Sequence, residues 1–175
     1  MELTPIMQKF ILHCGEMGTR WGINRTVAQI HALLFVSPKP LHAEEIAETL
    51  GVARSNVSTS LKELQNWGIV RVAHVMGDRR DHFESMKDVW DLFRQVMDER
   101  KRREIDPTLA ILKDCIAEAE RSKSAEPYVK EKLSELLDFF EVTTGWYEQI
   151  RRMPTPMVIR FVKAGEKVRK LIGMA

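Results

Sequence analysis

The residues best suited to chemistry in this 175-residue chain are cations and short hydrogen-bonding side chains. Arg54, Ser55, Asn56, Ser58, Thr59 and Lys62 fall in one run, and Arg79 and Arg80 follow at a turn. On a helix whose Val57, Leu61 and Leu64 point inward, Ser55, Ser58, Thr59 and Lys62 point outward, with Arg54 and Asn56 near its start. No carboxylate interrupts that run before Glu63. Such a face fits the DNA major groove, where Arg pairs with guanine and Asn with adenine. Arg79 and Arg80, at or near a hairpin tip, suit phosphates or a narrow minor groove.

Other chemistries have weaker support. The five histidines form no HxxxH or HExxH spacing, so no metal site is expected, although His74 and His82 are candidates to face each other across the hairpin. Nucleophile elbow, phosphate-cradling glycine loop and carboxylate pair are all missing, and neither an enzyme nor a cofactor is expected. Cys14 and Cys115 form no CxxC pair, and Cys14 on an apolar face reads as a structural thiol. Trp21, Trp146 and Tyr147 are weak candidates for an effector site, because aromatic faces attract quaternary ammonium groups. Aromatic residues at helical spacing are more often core.

The elements that must position these residues are mostly helical. Thr4-Pro5 reads as a cap and first turn, and the helix that follows carries Ile6, Phe10, Cys14 and Met17 on one face. A second helix spans about 24–36 and stops at Ser37-Pro38-Lys39-Pro40. Two short amphipathic helices, 42–50 and 53–67, meet at Gly51 in a helix-turn-helix pattern. Ile46, Ala47, Leu50, Val52, Val57, Leu61 and Leu64 are their expected shared core, with Glu44, Glu45 and Glu48 facing away. Strands over 69–75 and 82–86 flank the turn 76–81. Helices follow over about 87–104, on from Asp106-Pro107 to about Ser122, over 127–152 and over 157–172, with a turn at 122–126. In the last, apolar Met157, Phe161, Val162, Val168, Leu171 and Ile172 alternate with Arg160, Lys163, Lys167, Arg169 and Lys170. That pattern reads as a dimer helix in preference to a membrane-surface helix.

Charge is uneven. The overall +2 divides into −1 for residues 1–52, +2 for 53–82, −5 for 83–150 and +6 for 151–175. An acidic middle between basic segments suggests an anionic partner met locally. No apolar run is long enough to cross a bilayer, and the N-terminus lacks the basic-then-apolar pattern of a secretion signal. A cytoplasmic location without membrane association is the expectation.

The order helix-turn-helix, Gly68-Ile69-Val70, the wing segment GDRRDHFE, then KDVW and a long helix resembles the MarR-type winged helix. Within that family, the glycine-betaine-synthesis repressor branch is the nearer resemblance, extending to the segment at 100–107. The resemblance implies a mainly α fold: a winged helix-turn-helix with a short β-hairpin wing and a helical dimerisation layer. It implies an N-terminal dimerisation helix over 1–22, a DNA-binding lobe over 23–86 and a C-terminal dimerisation region over 87–175. It implies a homodimeric transcriptional regulator on a pseudo-palindromic double-stranded operator, with a possible small-molecule effector. Arg54–Lys62 match its recognition helix and Asp78-Arg79-Arg80 its wing, where the aspartate orients the arginine. Two positions depart from the pattern, since Ala53 and His42 stand where capping hydroxyls are usual. The alternatives are a protein-interaction scaffold on the same fold and a nonspecific architectural DNA binder.

Overall fold

The computed structural model describes residues 1–121 and 126–171, with side chains to Ala164. The expected turn at 122–126 therefore lies almost wholly outside the described residues. So do Ile172 and the side chains of Lys167, Val168, Arg169, Lys170 and Leu171. The chain divides into two compact units, Met1–Met97 and Asp98–Ala175.

In the first unit, α1 (Pro5–Arg20) starts as its sequence dictates: Thr4 caps it by accepting from the Met7 amide at 3.3 Å, and Pro5 takes the first helical position. Its buried face is Ile11, Gly15 and Gly18. That face is small because α2 (Arg25–Val36) comes very close. A Cβ on Gly18 would stand 2.5 Å from the Cβ of Ala28. Ile6 and Phe10 point the other way and remain exposed. The apolar face anticipated for α1 is thus split, with Cys14 and Met17 partly buried and Ile6 and Phe10 in solvent.

Helix α2 is the centre of the core, with Ile30, Leu33 and Leu34 completely buried. Lys87 closes its far end. The ammonium donates to the carbonyls of Leu34, Phe35 and Ser37 at 2.8, 2.9 and 2.7 Å, satisfying acceptors that a helix end leaves open.

A short strand, β1 (Leu41–His42), follows. Sequence periodicity cannot reveal a two-residue strand, and it was not anticipated. Next come α3 (Ala43–Leu50) and α4 (Arg54–Asn66). His42 caps α3 in a full capping box. Its Nδ1 accepts from the Glu45 amide, and the Glu45 carboxylate accepts from the His42 amide, both at 3.3 Å. Gly51 adopts φ 64°, the left-handed conformation that turns the chain sharply into α4. Ala53 gives α4 no side-chain cap. Of the expected shared core, Ile46, Val57, Leu61 and Leu64 are buried, and Ala47, Leu50 and Val52 are partly so.

The wing strands are β2 (Val70–Ala73) and β3 (His82–Ser85): β2 starts one residue later and ends two earlier than predicted, and β3 ends one residue earlier. The sheet is antiparallel in the order β1-β3-β2. His82 opposes Ala73 on one side and His42 on the other, not His74. Ala73, one residue earlier, takes the place across the hairpin that His74 was expected to occupy, and His42 on β1 flanks His82 at the other edge of β3.

Helix α5 (Val89–Arg100) crosses the boundary between units. Its Leu92 and Val96 pack on the first core, and the side-chain amide of Gln95 donates to the Trp67 carbonyl at 2.9 Å. A π-helical turn, Lys101–Ile105, joins it to α6 (Asp106–Arg121). Pro107 explains the wide turn, because it has no N–H to give the carbonyl four residues back. The Asp106 amide instead donates to Lys101, five residues back.

Helices α7 (Pro127–Arg151) and α8 (Thr155–Leu171) complete the second unit. Among its described residues, Leu112, Val158 and Glu99 are buried. Helix α7 buries no residue, and Tyr128, Leu136, Phe139, Val142 and Trp146 along it are exposed. No described helix is long and apolar enough to cross a membrane.

Candidate nucleic-acid interface

The outer surface of α4 is built as its spacing requires. With Val57, Ser60, Leu61 and Leu64 buried, Arg54, Ser55, Asn56, Thr59 and Lys62 are exposed and Ser58 is half-buried. Several of these groups already have local partners. The Arg54 guanidinium donates through Nη1 to Ser58 Oγ and through Nε to Glu44 Oε1, the latter at 2.8 Å. Ser58 and Thr59 donate their hydroxyl protons to the carbonyls of Arg54 and Ser55, one turn back.

The contact with Glu44 corrects the expectation that the acidic residues of α3 face away from this surface. Gly51 folds α3 and α4 so closely that a carboxylate in the first turn of α3 reaches the first residue of α4. The other oxygen of Glu44, Oε2, lies 3.0 Å from His42 Nδ1, but that nitrogen already accepts the Glu45 amide, so Arg54 is the partner that fixes Glu44. Hydrogen bonding to Arg54, chiefly, lowers its carboxyl to about 2.

The wing between β2 and β3 turns at Val75–Asp78, where the Asp78 amide donates to the Val75 carbonyl at 3.1 Å. Gly77 takes φ 84° there. Met76 is fully exposed at the apex, so Arg79 and Arg80 lie just past the tip. Both arginines are exposed. Arg80 folds back on Asp78: Nε lies 2.9 and 3.1 Å from the two carboxylate oxygens, and Nη2 lies 2.5 Å from Oδ2. Asp78 Oδ1 also accepts the Arg80 amide at 3.0 Å. These bonds hold the Asp78 carboxyl well below its ordinary range.

Residues outside the sequence-derived set join the two elements. His42 and His82 meet edge to face, ring centres 5.4 Å apart, at the base of the wing. His82 Nε2 lies 3.6 Å from Asp78 Oδ2, and its Nδ1 is 3.0 Å from the Arg80 carbonyl oxygen. An open cleft of about 350 Å³ lies here, lined in part by Lys39, Glu45, Asp78 and Arg80. Arg71 pairs with Glu84 across the strands at 2.7 Å. The pairing of His82 with Asp78 had a sequence signal in their four-residue spacing; the pairing with His42 had none.

The aromatic candidates are distributed differently. Trp21 is exposed at the end of α1, and Trp146 is exposed on α7. Tyr147 is half-buried, and its hydroxyl donates to Asp98 Oδ1 at 2.7 Å while Arg151 holds the other oxygen at 2.8 Å. Burial and the Asp98 carboxylate push the Tyr147 phenol up. Burial likewise raises the Cys14 thiol, as suits a structural cysteine. Among the described residues, no three His, Cys, Asp or Glu side chains are arranged to hold a metal ion.

Known proteins resemble the chain in the same region and beyond it. Residues 21–81 match the model of the MarR family. The HTH-type transcriptional repressor GbsR of Bacillus subtilis (strain 168) is 21% identical, over 76% of this chain and 75% of its own length. The HTH-type transcriptional repressor OpcR of the same organism is 18% identical, over 76% and 74%. A solved transcriptional regulator superimposes with a TM-score of 0.62 at 22% identity, covering 91% of this chain and 99% of its own. The fold is thus mainly helical with a small antiparallel sheet, and residues 21–81 are similar to the MarR-type winged helix.

Proposed function

We propose that this chain, a MarR-related winged-helix transcriptional regulator, binds a pseudo-palindromic operator as a homodimer. The observation that carries this reading is the surface of α4. Arg54, Ser55, Asn56, Thr59 and Lys62 are exposed on one helix, beside a wing that presents Arg79 and a braced Arg80. Inserted in the major groove, α4 offers the donors and acceptors that distinguish base pairs. The wing supplies contacts to backbone or minor groove. Two copies would place two recognition helices about one helical turn apart on DNA.

The apolar residues left in solvent support self-association. Ile6 and Phe10 on α1, Phe139 and Trp146 on α7, and Met157 and Phe161 on α8 are large and exposed. A monomer rarely leaves that much apolar surface uncovered. An effector, if one acts, works by favouring one arrangement of the dimer through a difference in affinity. A cytoplasmic location follows from a role on chromosomal DNA and from two free thiols.

The test is binding to the gene's own upstream DNA against a scrambled duplex at two salt concentrations. A preference of roughly a thousandfold or more is expected for a specific regulator. Equal, salt-sensitive binding to both would make the protein an architectural DNA binder. No binding to either would favour the protein-interaction scaffold.

A further inference from the structure

We propose that Glu44, outside the recognition helix, is a specificity-determining residue that acts by positioning Arg54. This deepens the DNA-reading function proposed above and rests on it. Arg54 stands at the start of α4, and two of its three guanidinium nitrogens are already engaged, Nε by Glu44 Oε1 and Nη1 by Ser58 Oγ. Glu44 lies in the first turn of α3, and the capping box of His42 and Glu45 fixes that turn in place. The Arg54 side chain is therefore set in direction before any DNA arrives, and ordering it costs less on binding.

The carboxylate also discriminates. Glu44 is exposed, so in a complex its charge lies at the DNA surface beside Arg54. A phosphate drawing Arg54 away breaks the ion pair and leaves a carboxylate facing an anionic backbone. A base edge that accepts from Arg54 in its preset direction keeps the pair. Unfavourable charge contacts of this kind penalise wrong partners more than the right one. Glu44 thus lowers affinity for random sequence and preserves it for the operator.

The experiment uses the full chain and a duplex enriched by the wild-type protein from a random pool, with a scrambled duplex as reference. Glu44→Gln keeps size and one acceptor oxygen while removing the charge. Affinity for the scrambled duplex is expected to rise, and the ratio of the two affinities to fall roughly tenfold, the order of one good side-chain contact to a base. Glu44→Asp, which keeps the charge, recovers most of the ratio. In an Arg54→Ala background, Glu44→Gln leaves the ratio unchanged. Equal changes on both duplexes, or a fall that persists without Arg54, would overturn the proposal. Failure of the wild type to enrich any duplex would remove the DNA-reading function beneath it, a result visible before any variant is made.

Discussion

Asp78 and Arg80, two residues apart in the wing, are joined by a two-pronged ion pair, with Arg80 Nη2 2.5 Å and Nε 2.9 Å from the carboxylate. The pair lies on the surface, with Arg80 exposed. Its value is geometric, because a fork gripped on one side points its remaining donors in one direction. The sign of one substitution separates this from simple electrostatics. Asp78→Asn removes a negative charge next to DNA, which alone would tighten binding. Loss of the brace is expected to weaken it instead, by roughly fivefold, the upper range for an exposed pair. Titration of a labelled operator decides the direction. Arg80→Ala should both weaken binding and lower the slope of log affinity against log salt by about one.

Self-association can be tested on apolar residues that lie mostly in solvent. Phe139 is 59% exposed on α7 and Ile6 is 82% exposed on α1. Phe139→Glu and Ile6→Glu should leave the melting of the separate chain little changed and shift sedimentation toward the monomer. Operator affinity should fall with them, since a monomer engages one half-site. Wild-type sedimentation as a monomer at all concentrations would end the dimer reading.

The closeness of α1 and α2 gives a stability prediction. A methyl group on Gly18 would meet the Ala28 Cβ at 2.5 Å, and both lie on packed helices that cannot yield locally. Gly18→Ala should cost about 1–3 kcal/mol, as overpacking does. Chemical denaturation should show the loss, and adding Ala28→Gly should restore much of it. Restoration would tie the effect to this contact and not to helix propensity, which by itself favours alanine.

His31 sets a pH dependence. It lies on α2 with Nε2 3.1 Å from Ser85 Oγ, and burial, with Lys87 nearby, lowers its pKa from 6.5 to about 4. The folded state therefore resists a proton that the unfolded chain accepts. Between those two values the unfolded state holds more protons, so stability rises with pH across that window. Acidification from about 6.5 toward 4 should remove up to about 3 kcal/mol, at 1.36 kcal/mol per unit. His31→Gln should flatten this part of the stability curve. An unchanged slope in that variant would assign the acid sensitivity to other groups.

Much of this protein was legible in short windows. Thr4-Pro5, His42 with Glu45, and Gly51 mark helix boundaries that the structure reproduces to within a residue. These signals are local: a cap accepts from an amide two or three residues on, and glycine supplies a left-handed turn by itself. The side chains of α4 that face solvent were equally legible, because three apolar positions at helical spacing fix the opposite face. Asp78 and Arg80 are near enough in sequence for their contact to be expected.

Sequence by itself determined the helix order, the sharp turn between α3 and α4, and the chemistry that α4 and the wing display. Tertiary structure alone decided that Arg54 already holds Glu44 and that His42 meets His82. The Arg54–Glu44 contact depends on the angle between two helices, and the His42–His82 contact on a two-residue strand closing against the wing. It also decided that α1 buries its glycines and leaves Ile6 and Phe10 in solvent. The reason is physical: caps and turns are satisfied within a few residues, whereas a packed face is chosen by the shape of what lies against it.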